Sequence, residues 1–341
     1  MSDKKYHVYG LGAALVDTEI EVTDKDLSKL GVEKGWMTLV DEDRQRELVD
    51  DLQDHLTASR RASGGSAANT IIAVTGFGGR TFFTGKVADD DNGHFYLNDM
   101  AEAGVDHAGK DGLPEGITGR CLVMITPDAE RSMNTFLGIS ETLAPEDLSP
   151  EAIADSQYLY VEGYLATSET GRAAAVAARN HARKSGTRFA FSLSDPGIVA
   201  NFRDQLKEIV DRRVDLLFCN REEALAWTGR ETLRDAAEEM SDWADSYVIT
   251  LGKEGALIYD DGELHTIAGE AVTAVDSNGA GDMFAGAYLY GITQGWPARE
   301  AGEFACLAAA TVVSQFGPRL PLRQYWGVLD SFNLARQGKA D

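Results

Sequence analysis

The chain has 341 residues, 43% of them apolar, which suffices for one large α/β domain with an attached lid or for two modest domains, and argues against disorder. Acidic residues outnumber basic ones 55 to 32, a formal charge of −23, and that field disfavours nucleic acid and anionic membranes as partners. Cys121, Cys219 and Cys306 lie far apart, give no disulfide framework or zinc spacing, and no apolar run is long enough to span a bilayer. With no signal-like N-terminus, a reducing cytoplasm is the expected location.

Residues 6–12 (YHVYGLG) predict a short strand, and 18–60 are charged with a helix near 43–56. After Gly64-Gly65 the run Ser66–Phe77 predicts a helix with Ser66 near its cap. Residues 81–87 predict a strand, Asp89–Gly93 a turn and 94–103 a helix. Runs 120–126 and 132–138, split by Pro127-Asp128-Ala129-Glu130, predict a hairpin. From residue 157 the rhythm changes: strands at 157–162, 188–193, 214–218 and 246–251 alternate with helices at 168–184, 201–211, 220–228 and 231–243. That alternation marks βαβ units and a parallel sheet. A hairpin at 255–268 and helices at 279–293, 298–314 and 321–336 complete the chain, with no internal repeat.

Several catalytic signatures fail. Gly10-Leu11-Gly12 begins a dinucleotide fingerprint, but the third glycine position holds Leu15. Gly85-Lys86 lacks the earlier glycine of a phosphate loop, where Arg80 stands, and Val87 replaces the hydroxyl residue. Neither H-E-x-x-H nor G-x-S-x-G occurs.

One segment carries chemistry. In residues 274–287 an apolar strand end leads through Gly279-Ala280-Gly281 directly into a helix. Small residues allow close backbone approach, and the N–H groups and dipole of a helix start attract an anion. Asp282 lies in that first turn, where the dipole is expected to keep it ionised and able to take a proton from an attacking hydroxyl. A plain first-turn acid reads the same way.

Asp276-Ser-Asn-Gly-Ala-Gly-Asp282 resembles the D-T-x-G-A-G-D signature of the PfkB (ribokinase-like) carbohydrate kinases, with Ser277 in place of the usual Thr. Gly64-Gly65-Ser-Ala-Ala-Asn69 resembles that family's G-G-x-x-x-N element, and Asn220-Arg-Glu-Glu223 its N-x-x-E motif. Val248–Gly255 resembles its nucleotide-site strand and loop. The resemblance implies a three-layer α/β/α domain with a mostly parallel central sheet and a smaller β-rich lid. The lid is expected from about 13–60 and 118–140, and the nucleotide half from about 214–320.

The resemblance also implies roles. Asp282 would be the general base, with Gly279, Ala280 and Gly281 as the anion hole. Asn220 and Glu223 would help hold Mg2+ through water, although a helix cap with a first-turn acid explains the pair equally. Thr250, Gly252 and Gly255 would border ATP, with the Gly317-Pro318 turn flanking the base; the two hairpin glycines also suit an ordinary turn. Asp276 is the residue to name for a monovalent cation such as K+. On the acceptor side Asp17, with Gly64, Gly65 and Asn69, would grip sugar hydroxyls. Arg131 would reach a phosphate or pair with surface acids.

Within the family the adenosine kinase branch fits best. The length is similar, residues 18–60 form a long insertion, and the aromatic strand end around Tyr158–Leu165 places Tyr164 to line a purine pocket or to pack in the core. The expected reaction moves the γ-phosphoryl group of MgATP to the 5′-hydroxyl of adenosine. A sugar or sugar-acid kinase, an inosine or guanosine kinase, and a non-catalytic sensor are the alternatives, and a monomer or a homodimer would serve.

Overall fold

In chain order the strands are β1 (Tyr6–Leu11), β2 (Leu15–Glu21), β3 (Met37–Leu39), β4 (Arg60–Gly64), β5 (Thr81–Thr84), β6 (Asp106–His107) and β7 (Thr118–Ile125). They continue with β8 (Arg131–Gly138), β9 (Ser156–Glu162), β10 (Arg188–Ser192), β11 (Val214–Asn220), β12 (Ala244–Thr250), β13 (Gly255–Asp260) and β14 (Glu263–Ala268). The computed structural model describes residues 4–56, 60–108, 112–128 and 130–338. Ala129 of the expected hairpin turn and residues 57–59 of the expected lid segment lie outside them.

Nine strands form one sheet in the order β14-β13-β12-β11-β10-β9-β1-β5-β6. Neighbours from β12 to β6 run parallel, and only β13 and β14 are added antiparallel. Strand alternation sends each face into its own core. Val8 of β1 and Tyr158 and Tyr160 of β9 join one apolar cluster, closed by helices Ser66–Gly76, Ala280–Thr293 and Ala298–Val313. Tyr9 and Leu11 of β1 and Leu159 and Val161 of β9 join the other, closed chiefly by helix Glu169–Ser185 and helices between 196 and 240. The result is the three-layer α/β/α arrangement, ribokinase-like in its sheet order.

The chain leaves β1 toward β5 and β6 on one side and later returns through β9 to β12 on the other. The sheet therefore has a topological switch point between β1 and β9, and a crevice opens there beyond the carboxyl ends of parallel strands.

A second sheet, β3-β8-β7-β2-β4, stands over that crevice. Its far face packs Ile20, Leu122 and Met124 against Leu27 and Leu30 of helix Asp24–Leu30 and Leu48 of helix Glu42–Asp51. Thr23 caps the first of these helices in a capping box with Asp26, and Asp41 caps the second. The described residues of the charged segment 18–60 thus include strands and capped helices.

Candidate active site

The crevice is a cavity of about 470 Å3 lined from both sheets. Each strand end contributes in turn: Ala13 beyond β1, Glu162 of β9, Ser192 of β10, Asn220 of β11 and Thr250 of β12. Opposite them, alternate residues of the small sheet face inward: Leu15 and Asp17 of β2, Cys121 and Val123 of β7, and Arg131, Met133, Thr135 and Leu137 of β8.

The glycine-rich turn builds the floor. Gly279 sits at φ +68 as the N-cap of helix Ala280–Thr293, and a side chain there would run into the Pro318 backbone. Gly281, one residue into the helix, faces open space and lines the cavity with Ser277, Asn278 and Ala280. First-turn N–H groups at the edge of a cavity suit an anionic ligand.

Asp282 is half-buried on the cavity wall. Ser66 Oγ donates to its Oδ1 at 2.6 Å and Asn69 Nδ2 to its Oδ2 at 3.2 Å. Burial pushes its pKa up to about 6, against the pull of those two hydrogen bonds and of Arg319. Desolvation is the largest influence on this group, and the carboxylate is still mostly ionised at neutral pH. Ser66 therefore serves Asp282, while Gly65, at φ +98, occupies the N-cap.

Asp17 is buried in the middle of β2, not solvated in a turn. Burial raises its pKa to about 7, with the Arg319 charge opposing. Gly64 pairs across from Leu15 in β4, and a methyl group there would overlap the Asp17 carboxyl. Asn69 is buried in the first turns of helix Ser66–Gly76 and lines the same cavity as Asp17 and Asp282. Asp17, Gly65, Asn69 and Asp282 thus share one cavity, with Gly64 directly behind Asp17.

Asn220 and Glu223 form a reciprocal capping box: Glu223 N–H donates to Asn220 Oδ1 at 2.8 Å, and Asn220 N–H to Glu223 Oε2 at 3.0 Å. Glu223 is nonetheless at the cavity surface, and burial followed by the Asp195 and Glu222 charges raises its pKa to about 8. Five carboxylates (Asp17, Glu130, Glu162, Glu223, Asp282) line the cavity against one guanidinium, that of Arg131. That excess of negative charge fits a divalent cation arriving with its phosphates. No group of three ligating side chains occurs among the described residues, so water and phosphate oxygens would complete its shell.

Arg131 pairs with the fully buried Asp276 rather than with surface acids. Asp276 also accepts from Asn278 N–H at 3.0 Å and Gly317 N–H at 2.8 Å. Gly317 makes that bond, and Gly252 and Gly255, both at positive φ, shape the turn between β12 and β13. Tyr164 lines the cavity as expected, and burial, followed by the charges of Asp195, Glu223, Asp282 and Glu162, raises its pKa.

Sequence reasoning missed Glu162 and Arg319. Glu162 is 1% exposed and accepts from Ala13 N–H and Ala67 N–H, both at 2.7 Å, tying the turn after β1 to the helix that carries Asn69. A lone acid closing the apolar run Tyr158–Val161 at a parallel strand end was a usable signal. Gly12 belongs to this contact, because a side chain there would overlap Glu162 and Ala67. Nothing local marks Arg319.

An anion floor at a helix start, a poised carboxylate and an acidic rim, set at the switch point of a parallel sheet, define a phosphotransferase acting on a small alcohol. Residues 37–324 match the model of the pfkB family carbohydrate kinases, and the chain belongs to that family. The adenosine kinase of Sinorhizobium meliloti superposes with a TM-score of 0.88 at 35% identity, covering 98% of this chain and 99% of that one. In sequence, the chain is 28% identical over 281 residues to a 5-dehydro-2-deoxygluconokinase of Clostridium perfringens (77% and 82% of the two chains). It is 26% identical over 331 residues to the adenosine kinase of Saccharomyces cerevisiae (91% and 96%). These relatives are kinases that differ in their named acceptor.

Proposed function

We propose that this kinase transfers the γ-phosphoryl group of ATP to the 5′-hydroxyl of a nucleoside, adenosine first, giving AMP. The observation that carries the choice of acceptor is the inner face of the small sheet. Met37, Leu39, Cys121, Val123, Met133 and Leu137 offer an apolar surface over the cavity, which matches the face of a nucleobase. A sugar acid would need a free cation for its carboxylate, and the cavity's single guanidinium is committed to Asp276.

In this reading the small sheet is the lid, from about 13–60 and 118–140, and the nucleotide half spans about 214–320. Asp17 and Asn69 hold the ribose diol, so that a missing hydroxyl leaves buried polar groups unpaired. Asp282 accepts the proton of the attacking hydroxyl. The turn Gly279–Gly281 receives the transferring phosphoryl group on backbone N–H groups. Glu223 and Asn220 hold water around Mg2+, which when bound neutralises charge on the phosphates. Arg131 stays paired with Asp276 beneath the small sheet, and the lid excludes water from the reaction.

The test is ADP release from MgATP with adenosine, inosine, guanosine, ribose, fructose and 2-keto-3-deoxygluconate offered in turn. Turnover concentrated on adenosine supports the nucleoside reading. Preference for a free sugar or the sugar acid overturns the acceptor while leaving the kinase, and silence with all six favours a sensor.

A further inference from the structure

Arg319 lies outside every motif that marks the family resemblance, yet three consecutive residues there touch three parts of the site. Gly317 N–H holds Asp276 Oδ2. The Pro318 backbone packs against Gly279, close enough that a side chain on Gly279 would strike it. Arg319 Nε donates to Asn69 Oδ1 at 2.9 Å, its Nη1 to Asp99 Oδ2 at 2.9 Å and its Nη2 to Ser63 Oγ at 3.0 Å. Ser63 in turn bonds Asp99 through both its N–H and its hydroxyl.

The direction of these bonds matters. An amide side chain has one accepting and one donating end. Because Arg319 takes the oxygen of Asn69, the amide nitrogen must face the other way, and it donates to Asp282 Oδ2. Asp99 and Ser63 hold the guanidinium from behind, so the chain Asp99–Arg319–Asn69–Asp282 has a fixed polarity. Arg319 is partly buried, with a side chain 14% exposed, and the cavity lining does not include it.

From these contacts we infer that Arg319 is a positioning residue of the phosphotransfer site: it orients the Asn69 amide and, through it and its own charge, holds the Asp282 carboxylate aimed at the acceptor. This rests on the reading of Asp282 as the base. The residues facing or electrostatically coupled to Asp282 are Ser66 and Asn69 from the helix Ser66–Gly76, Tyr160, Glu162 and Tyr164 from the end of β9 and beyond, Asp17 from β2, and Arg319. All the ionisable side chains in that set except Arg319 are acids, so Arg319 is the cation that favours the ionised form. It opposes the rise at Asp17 as well, and so acts on both ends of the acceptor site.

The test follows the carboxyl carbon of Asp282 by NMR in aspartate-labelled protein, its signal assigned by loss in Asp282→Asn; no substrate is needed. In Arg319→Gln the titration midpoint should rise by about one pH unit, while Arg319→Lys, which keeps the charge, should move it less. In parallel, kcat with MgATP and adenosine should fall at least tenfold in Arg319→Gln, with its acid limb displaced by the same amount, and recover in part in Arg319→Lys. An unmoved midpoint in folded Arg319→Gln, with Asp282→Asn inactive, overturns the role of Arg319 alone. Full turnover in Asp282→Asn overturns the base and this proposal together.

Discussion

Asp282 holds a charge that its surroundings resist. Its pKa rises to about 6 because burial outweighs the Ser66 and Asn69 hydrogen bonds, so the folded state favours the protonated form. A carboxyl raised in this way contributes stability that is complete below about pH 4 and is lost as pH climbs through 6. At pH 7 the ionised side chain therefore costs on the order of 1–3 kcal/mol. Asp282→Asn removes that cost, because the Ser66 hydroxyl can reverse its bond and the amide fills the same volume. The expected result is a variant that melts a few degrees higher at pH 7.5 and loses turnover by a factor of about 1,000 or more. Near-normal turnover would remove Asp282 from the chemistry, and a lower melting temperature would show that burial does not govern its charge. The glycine-rich turn and this acid were legible in the sequence because strand, small residues and helix start follow one another directly; the rise in pKa was not, because it comes from burial, which only the assembled fold creates, against hydrogen bonds from Ser66 and Asn69 more than 200 positions away.

At the level of elements, β4 shows how one strand makes room for another's function. Gly64 closes β4 opposite Leu15, with the Asp17 carboxyl occupying the space a side chain would fill. Gly64→Ala should displace Asp17 while leaving the ladder between β2 and β4 in register. The acceptor KM is then expected to rise at least tenfold, with the ATP KM changing less than twofold, in initial-rate kinetics with each substrate varied. Equal increases in both constants would mean that Gly64 serves the fold rather than the acceptor. The parallel βαβ half was readable from its apolar strands, since burial on both faces leaves long apolar runs. The small sheet was only half readable. β7 and β8 stood out as a hairpin, but β2 reads LVDTEIE, its acids placed by a functional cavity on one side and by solvent at its end. Charge demanded by the site masked the strand, and the pairing of β2 with β7, about a hundred residues on, is invisible to any local pattern.

Across the whole molecule the same physics acts on four cavity carboxylates at once. Asp17, Glu162, Glu223 and Asp282 have pKa values raised to about 7, 7, 8 and 6, with burial the largest cause in each. Each favours the proton in the folded state, so each withdraws stability as pH rises through its own value. Asp99 and Asp90 are shifted the other way, by Arg319 with Ser63 and by Thr118 with Gly93, and their contribution disappears only as pH falls through the ordinary carboxylate range and below. The net charge of −23 adds self-repulsion that grows over the same rise in pH. Thermal stability should therefore be greatest near pH 5 and decline toward pH 8, whereas turnover should increase through pH 6 as Asp282 ionises. Salt separates the two sources of the decline. Raising NaCl to about 1 M shortens the screening length to about 3 Å, which relieves repulsion between exposed acids but barely reaches a dry cavity. Melting curves at pH 5 and pH 8, each in low and high salt, should show a gap between the two pH values that narrows in salt without closing. A gap that closes entirely would assign the decline to the surface, and stability that rises from pH 5 to pH 8 would mean that the cavity carboxylates are not held against their charge.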